Sequence, residues 1–270
     1  MSIHPTALVD PAAELAPDVD IGPYAVVGPR VRIGARCAIG PHAVVHPFVT
    51  LGEGCRVHAH AVLGDLPQDL GFAGGESAVE IGAGCTIREG VTIHRGTKPG
   101  TATVVGKGCF LMANSHLAHN VRLGDGVILA NGALLGGYVE VGDRAFVSGN
   151  AAVHQFVRVG RLAMVSGLAA VSKDAPPFCT LHSVITNRIS GLNVVGMRRA
   201  GLTSAQRLEV KRAFALLFRS GLNVRDAIAR IRAEIPEGPG RELADFAAAS
   251  KRGLCAMRGG GAEEADSAEE

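Results

Sequence analysis

The chain has 270 residues, which is enough for one large domain or two modest ones. Its hydrophobic content of 47% excludes a disordered protein, and an aromatic content of 4% without tryptophan leaves Val, Ile, Leu and Ala to build the core. The formal net charge of +2 gives no reason to expect nucleic acid as a partner.

The sequence shows no signal of export or membrane insertion. Residues 1–11 contain no basic segment followed by an apolar run, and no stretch approaches the roughly 20 apolar residues of a membrane span. The six cysteines include no CxxC pair, which argues against a zinc knuckle or a redox dithiol. We therefore expect a cytoplasmic protein with reduced thiols and no membrane span.

An aliphatic residue recurs at every sixth position, with two interruptions. It occupies Ile3, Val9, Leu15, Ile21, Val27, Ile33, Ile39, Val45, Leu51, Val57 and Leu63, then Ile81, Ile87 and Ile93, then Val105 and every sixth position to Val171. This period fits neither an α-helix nor a plain strand. It predicts a mainly β fold, a parallel β-helix in which three hexads close a triangular coil of 18 residues.

Two further positions of the hexad have a consistent character. The residue after the aliphatic is often glycine, as at Gly22 and Gly124, which we interpret as a corner that needs unusual φ/ψ angles. The residue four positions after the aliphatic is small and should point inward. Four of the six cysteines fall in that column and are predicted to be core residues: Cys37, Cys55, Cys85 and Cys109.

Residues 65–78 and 98–103 break the repeat and should leave the prism as loops, where binding residues tend to lie. We assign residues 1–190 to the β-helix and 191–258 to a small α-helical C-terminal domain. Thr203 and Gln206 form a capping-box pattern, further helices are expected from Asn223 and over 241–251, and the low-complexity tail 259–270 is expected to be disordered.

A three-sided rod with flat, partly apolar sides should self-associate. Three-fold packing is the natural outcome for such a shape, and we therefore expect a homotrimer.

The candidate chemistry is a pair of histidines that flank the inward Leu117. His116 and His119 lie between the second loop and the middle coils, and histidine suits general-base work near neutral pH. Gly137 follows His119 by 18 residues and should lie one coil further along, where its N–H could face an oxyanion beside the imidazole. Tyr138 should stack over Asn120 in the same way.

An ordered set of motifs resembles the UDP-N-acetylglucosamine acyltransferase family over nearly the whole chain. The motifs are Gln68-Asp69-Leu70, Val91-Thr92-Ile93-His94-Arg95-Gly96-Thr97, the His116/His119 pair, His154-Gln155-Phe156 and Asn193-x-x-Gly196-x-Arg198-Arg199. The resemblance implies a left-handed β-helix, a homotrimer with active sites between subunits, and no cofactor or metal. It also implies transfer of a 3-hydroxyacyl group from acyl carrier protein to the 3-hydroxyl of UDP-N-acetylglucosamine, in the first step of lipid A synthesis.

The resemblance also implies roles for individual residues. His119 matches the general base and Gly137 the backbone donor to the oxyanion. Gly167 matches the position that sets acyl-chain length, where glycine leaves the groove open for a longer chain. The substrate-binding candidates are Asp69, His94, His116 and Gln155 around the sugar, Asn193 and Arg199 at the nucleotide and phosphates, and Asn120, Tyr138, His154 and Arg198 beside them.

Four positions depart from the family pattern. Asn120 stands where an aspartate usually follows the catalytic histidine, and Gly71, Tyr138 and Val195 replace a common Lys, His and Glu. The acceptor could therefore be a related UDP-sugar, such as a 3-amino variant that forms an amide. A γ-class carbonic-anhydrase-like zinc enzyme and a non-catalytic paralogue remain as alternatives from other classes.

Overall fold

The computed structural model describes residues 2–182 and 187–257. The predicted tail at 259–270 lies outside these described residues, as do Met1, residues 183–186 and residue 258.

The described residues contain 29 short strands, most of them two residues long. In chain order they are β1 Ser2–Ile3, β2 Leu8–Val9, β3 Glu14–Leu15, β4 Asp20–Ile21, β5 Val26–Val27, β6 Arg32–Ile33, β7 Ala38–Ile39, β8 Val44–Val45, β9 Val49–Leu51, β10 Arg56–Val57, β11 Val62–Asp65, β12 Ala78–Ile81, β13 Thr86–Ile87, β14 Thr92–His94 and β15 Ala102–Val105. They continue as β16 Phe110–Leu111, β17 His116–Leu117, β18 Arg122–Leu123, β19 Ile128–Leu129, β20 Leu134–Leu135, β21 Glu140–Val141, β22 Phe146–Val147, β23 Ala152–Val153, β24 Arg158–Val159, β25 Met164–Val165, β26 Ala170–Val171, β27 Cys179–Leu181, β28 Arg188–Leu192 and β29 Ala256–Met257.

Up to β26 every third strand joins the same sheet, so three parallel sheets enclose one core. Sheet A runs β1-β4-β7-β10-β13-β16-β19-β22-β25-β27-β28-β29, sheet B runs β2-β5-β8-β11-β14-β17-β20-β23-β26, and sheet C runs β24-β21-β18-β15-β12-β9-β6-β3. At the end of sheet A, β27 follows β25 and pairs antiparallel with β28. His116 pairs with Leu134 and Leu117 with Leu135, which is the predicted 18-residue register. The predicted parallel β-helix is confirmed.

The hexad aliphatics form the core. From Ile21 to Val171 they are buried, as are the cysteines of the small-residue column. All six cysteines are free thiols, and the four in the column donate to carbonyl oxygens of the next coil, as from Cys37 to Gly52. The prediction that these cysteines are core residues is confirmed.

The interpretation of the glycines after the aliphatics is wrong. The left-handed φ angles fall two residues further along, at positions such as Tyr24 and Arg36, with φ of 58° and 55°. Glycine is needed because the next coil approaches closely: a Cβ on Gly22 would lie 3.0 Å from the Pro41 nitrogen, and one on Gly124 would lie 2.8 Å from the Asp143 nitrogen. Close backbone approach, not a special φ, therefore selects glycine here.

Both predicted loops leave the prism, but their ends differ from the expectation. The first spans 66–77 between β11 and β12, and the second spans 95–101 between β14 and β15. Thr103 belongs to β15 and is fully buried. Its hydroxyl is satisfied in the interior because it donates to the His94 carbonyl oxygen at 2.6 Å.

The helices are α1 Val194–Arg199, α2 Ser204–Phe218, α3 Val224–Glu234 and α4 Pro239–Ala248. The capping box of Thr203 and Gln206 is present, and Asn223 caps α3. The helix expected over 241–251 is observed as α4, which starts and ends earlier than expected. Its start is earlier because Pro239 is favourable in the first turn of a helix. The short helix α1 was not predicted. Within the described ranges no helix is long and apolar enough to cross a membrane.

Candidate active site

His119 lies in the turn that leads from β17 in sheet B to β18 in sheet C, at one corner of the prism. Its Nδ1 lies 3.1 Å from Asn120 Oδ1, and its Nε2 lies 3.9 Å from Asp69 Oδ2, which comes from the first loop. The His119 side chain is only 12% exposed. A gap of 3.9 Å is too long for a direct hydrogen bond, so Nε2 and the carboxylate are neighbours with room for a third polar group.

The hydrogen bonds of Asn120 determine which nitrogen of His119 carries the proton. The Thr97 N–H donates to Asn120 Oδ1 at 3.0 Å, and because an N–H can only donate, the atom facing it is the amide oxygen. The Nδ1 of His119 faces the same oxygen and must therefore be the protonated nitrogen. In the neutral imidazole, Nε2 then has a free lone pair directed away from Asn120.

Gly137 lies against this imidazole, one coil further along. A Cβ placed on Gly137 would lie 2.4 Å from Cε1 and 2.5 Å from Nε2 of His119. Within the described chain the Gly137 N–H donates no hydrogen bond, whereas the next N–H, that of Tyr138, donates to the His119 carbonyl oxygen at 3.0 Å. The predicted column that joins His119 to Gly137 is therefore present.

His94 and His116 form a second pair beside His119. Their ring centroids are 5.0 Å apart in an edge-to-face arrangement, and His116 Nδ1 lies 2.7 Å from Thr92 Oγ1. Burial and the neighbouring His94 lower the pKa of His116 to about 4, and burial lowers the pKa of His94. His94 Nδ1 is buried and has no hydrogen-bond partner among the described residues.

The remaining candidates of the β-helix lie on neighbouring coils. Gln155 continues the column of His119 and Gly137, and His154 is exposed with Nδ1 3.2 Å from the Gln155 carbonyl oxygen. Gly167 lies in the turn that enters sheet B, 48 residues and so a little under three coils beyond His119. Among the described residues a Cβ there would meet only the Gly149 oxygen at 3.4 Å and the Ser148 Cβ at 4.0 Å, so the site has space.

The structure does not bring Asn193, Arg198 and Arg199 to His119 within one chain. Asn193 caps α1 by accepting from the Gly196 N–H, and its Nδ2 donates to the Leu162 carbonyl oxygen at 2.9 Å. Leu162 lies in the turn from sheet C to sheet A, which is a different corner of the prism. Arg198 and Arg199 are exposed in the last turn of α1.

Two threonines at this site were not identified from the sequence. Thr97 holds Asn120 Oδ1, and Thr103 accepts from the Asn120 N–H at 2.8 Å while donating to the His94 carbonyl oxygen. Thr103 is the last residue of the second interruption, 98–103. A polar residue at the point where the repeat resumes could have indicated, from the sequence alone, a buried side chain that forms hydrogen bonds.

Two family models match the chain. One, described as bacterial transferase hexapeptide (six repeats), covers residues 30–65 and 102–137. The other, described as UDP N-acetylglucosamine O-acyltransferase, domain 2, covers residues 174–255. Between them they span the repeats on both sides of the loops and the C-terminal helices.

Curated relatives and solved structures agree over nearly the full length. The acyl-[acyl-carrier-protein]–UDP-N-acetylglucosamine O-acyltransferase of Anaeromyxobacter dehalogenans is 43% identical over 256 residues, 94% of this chain and 99% of that protein. The protein of the same name from Anaeromyxobacter sp. strain Fw109-5 is 49% identical over 247 residues, 91% of this chain and 95% of its own length. The UDP-N-acetylglucosamine acyltransferase of Bacteroides fragilis superposes with a TM-score of 0.89 at 37% identity, covering 93% of this chain and 99% of that chain.

The fold is thus a left-handed parallel β-helix followed by a small helical region, as the resemblance implied. The identity extends across both the repeats and the helices, over 94% of this chain for the first relative and 93% for the solved structure. The chain belongs to the acyl-[acyl-carrier-protein]–UDP-N-acetylglucosamine O-acyltransferase family.

Proposed function

We propose that the protein transfers a 3-hydroxyacyl group from acyl carrier protein to the 3-hydroxyl of UDP-N-acetylglucosamine, the first step of lipid A synthesis, with His119 as general base. The observation that carries the proposal is the free lone pair of His119 Nε2, which lies beside Asp69 and against Gly137. The relatives' names support the donor and the acceptor.

The reaction follows from the geometry of these groups. His119 Nε2 removes the proton of the sugar hydroxyl while the hydroxyl oxygen attacks the thioester carbonyl carbon. The Gly137 N–H donates to the oxyanion of the tetrahedral intermediate. The C–S bond then breaks, the ester remains on the sugar, and protonated His119 returns its proton to the departing thiolate. Asp69 faces the imidazolium that exists between these steps and stabilises its charge.

The sugar is proposed to contact His94, His116, Gln155 and His154, with Asp69 at the loop side. The low pKa values of His116 and His94 support this assignment, because both rings are then neutral at physiological pH and can accept as well as donate hydrogen bonds to hydroxyl groups.

We propose that three copies assemble side by side. The outward residues of sheet A are apolar in β16, β19, β22 and β25, and those of sheet B are apolar except at Thr92 and His116, whereas sheet C carries a charged outward face. The apolar outward residues are Phe110, Ile128, Phe146 and Met164 in sheet A and Val26, Val44, Val62 and Leu134 in sheet B, and the charged ones are Glu14, Arg32, Glu80, Arg122, Glu140 and Arg158. Two apolar sides and one charged side on a three-sided rod favour a closed ring of three.

The position of α1 supports active sites between subunits. Arg198 and Arg199 lie near a different corner from His119 in the same chain, so they can meet that site only in a neighbouring copy. An arginine guanidinium binds phosphate oxygens in pairs, which suits the diphosphate of the nucleotide. Asn193 would contribute at the same end, although its amide already caps α1.

A 3-amino UDP-sugar is the second candidate acceptor, and Asn120 is the observation that favours it. A neutral amide beside His119 gives the imidazolium less charge stabilisation than the aspartate common in the family. An amine attacks a thioester with less help from a base than a hydroxyl does, so it would tolerate this change better.

The zinc-enzyme alternative has no comparable support. Over residues 2–182 and 187–257 no three His, Cys, Asp or Glu side chains are grouped as ligands of one ion within the chain. The free, buried state of all six cysteines supports the proposed cytoplasmic location.

The deciding experiment is transfer from 3-hydroxyacyl carrier proteins of several chain lengths to a panel of UDP-sugars by the unmodified protein. We expect an ester product with UDP-N-acetylglucosamine, which mild base cleaves. A base-resistant amide formed only with the 3-amino sugar would select the second candidate. No transfer to any acceptor would show that the proposed activity is wrong and favour a non-catalytic paralogue.

A further inference from the structure

Three polar side chains, those of Tyr138, Thr97 and Asn120, are connected by hydrogen bonds behind His119. Tyr138 Oη lies 3.0 Å from Thr97 Oγ1, Thr97 Oγ1 lies 3.1 Å from Asn120 Oδ1, and Asn120 Oδ1 lies 3.1 Å from His119 Nδ1. Thr97 and Asn120 are 9% and 8% exposed, so the centre of this network is shielded from water.

The direction of each hydrogen bond in the network can be assigned. Asn120 Oδ1 accepts from the Thr97 N–H, so the Thr97 hydroxyl facing the same oxygen must also donate to it. That hydroxyl has one proton, and therefore it accepts from the Tyr138 O–H. The Tyr138 and Thr97 hydroxyls donate in series and strengthen one another, whereas the Thr97 N–H, the Thr97 hydroxyl and the His119 Nδ1–H all converge on Asn120 Oδ1. The two bonds from Thr97 therefore hold the Asn120 amide with its oxygen facing His119 Nδ1.

We propose that Asn120, Thr97 and Tyr138 are positioning residues that hold His119 in the tautomer with a basic Nε2, and that the charge facing the imidazolium comes from Asp69. In most acid–base pairs of this type one carboxylate orients the imidazole and stabilises its positive charge. Here the two tasks are divided: a neutral amide orients the ring from the Nδ1 side, and the Asp69 carboxylate lies 3.9 Å from Nε2.

The aromatic packing explains how Tyr138 reaches Thr97. Its ring stacks on Phe156 of the next coil with a centroid distance of 4.9 Å and an interplanar angle of 10°, and it meets the His119 ring edge-to-face at 5.2 Å. Phe156 thus supports the tyrosine on one side while His119 contacts it on the other. Replacing Tyr138 by Phe would keep this packing and remove only the hydroxyl.

The first test needs no substrate, so it does not depend on the proposed activity. Nitrogen NMR of the full chain labelled in its ten histidines, with His119→Gln to assign the signal, distinguishes the two tautomers. We expect a protonated Nδ1 and an unprotonated Nε2 in the unmodified protein. Asn120→Ala removes the oxygen that faces Nδ1 and should give a mixture, whereas Thr97→Val keeps the backbone N–H that holds this oxygen and should keep the single form. A protonated Nε2 in the unmodified protein, or an unchanged tautomer in Asn120→Ala, would overturn the proposal.

The second test is kinetic and rests on the proposed function. Thr97→Val should lower kcat about 10-fold and Tyr138→Phe about 3-fold, with KM for the carrier protein little changed. Thr50→Val makes the same substitution at an exposed position of β9 and should have no effect. Asn120→Asp should move the acidic limb of the kcat/KM profile to higher pH, and Asp69→Asn should move it to lower pH.

An acidic limb that stays in place in both carboxyl variants would overturn the division of tasks. If the unmodified protein transfers no acyl group, the proposed function fails, while the NMR result still decides whether the network fixes the tautomer.

Discussion

Gly137 and His119 lie in direct contact across neighbouring coils, since a Cβ on Gly137 would come within 2.4 Å of the His119 Cε1. Gly137 has no left-handed φ, so alanine is allowed by its backbone and would act only by displacing the imidazole. We expect Gly137→Ala to lower kcat about 10²-fold while the protein stays folded, because the displaced imidazole is no longer aligned with the sugar hydroxyl. Steady-state kinetics and thermal unfolding of the same sample measure both effects.

Gly191→Ala is the matched control, because its added Cβ meets no atom of the described residues within 4 Å. Full activity of Gly137→Ala would contradict the proposal that Gly137 and His119 act together at the reacting groups.

Removal of the imidazole tests the general base. His119→Ala should lower kcat about 10²–10⁴-fold, because proton removal from the sugar hydroxyl then depends on water. The ring is partly buried but contributes nothing to the hexad core, so the unfolding temperature should change little. Turnover equal to that of the unmodified protein would contradict the proposed mechanism.

The neutral histidines make stability depend on pH. The pKa of His116 is about 4 in the folded protein and 6.5 in the reference state, so between these values the unfolded chain binds more protons. The free energy of unfolding should therefore fall as pH decreases from 6.5 to 4, by about 2 kcal/mol from His116 after allowance for its partial exposure. Urea titrations across this range measure the slope.

His116→Gln removes the titrating group and should flatten the slope, whereas His154→Gln changes an exposed ring and should leave it intact. Equal slopes in all three proteins would show that His116 is not the cause.

The space at Gly167 should set the acyl length. Gly167→Met would fill the region bounded by the Gly149 oxygen and Ser148 Cβ, so the variant should prefer shorter chains, with about a 10-fold change in relative kcat/KM for each pair of methylenes lost. Competition between carrier proteins loaded with different acyl lengths measures this ratio. An unchanged preference would place the end of the acyl chain elsewhere.

Much of the fold and part of the site followed from the period of the sequence. Each coil has the same length, so an 18-residue spacing fixes which residues are stacked, and this placed Gly137 against His119 and the cysteines inside the prism. The glycines after the aliphatics are different, because the close approach of the next coil selects them and not a corner with unusual φ/ψ angles. The spacing of residues in the sequence predicts which residues are stacked. It does not predict how closely the backbone of the next coil approaches, because that distance depends on the backbone conformation.

The tertiary structure alone showed what surrounds His119. The contact of Thr97 with Asn120 depends on the path of the loop 95–101, which has no period, and the contact of Asp69 depends on the loop 66–77. The separation of α1 from His119 depends on which corner of the prism the helix packs against. The sequence thus determined the coil and the column of the base, whereas the loops, whose conformation no repeat dictates, decided its tautomer and its charged neighbour.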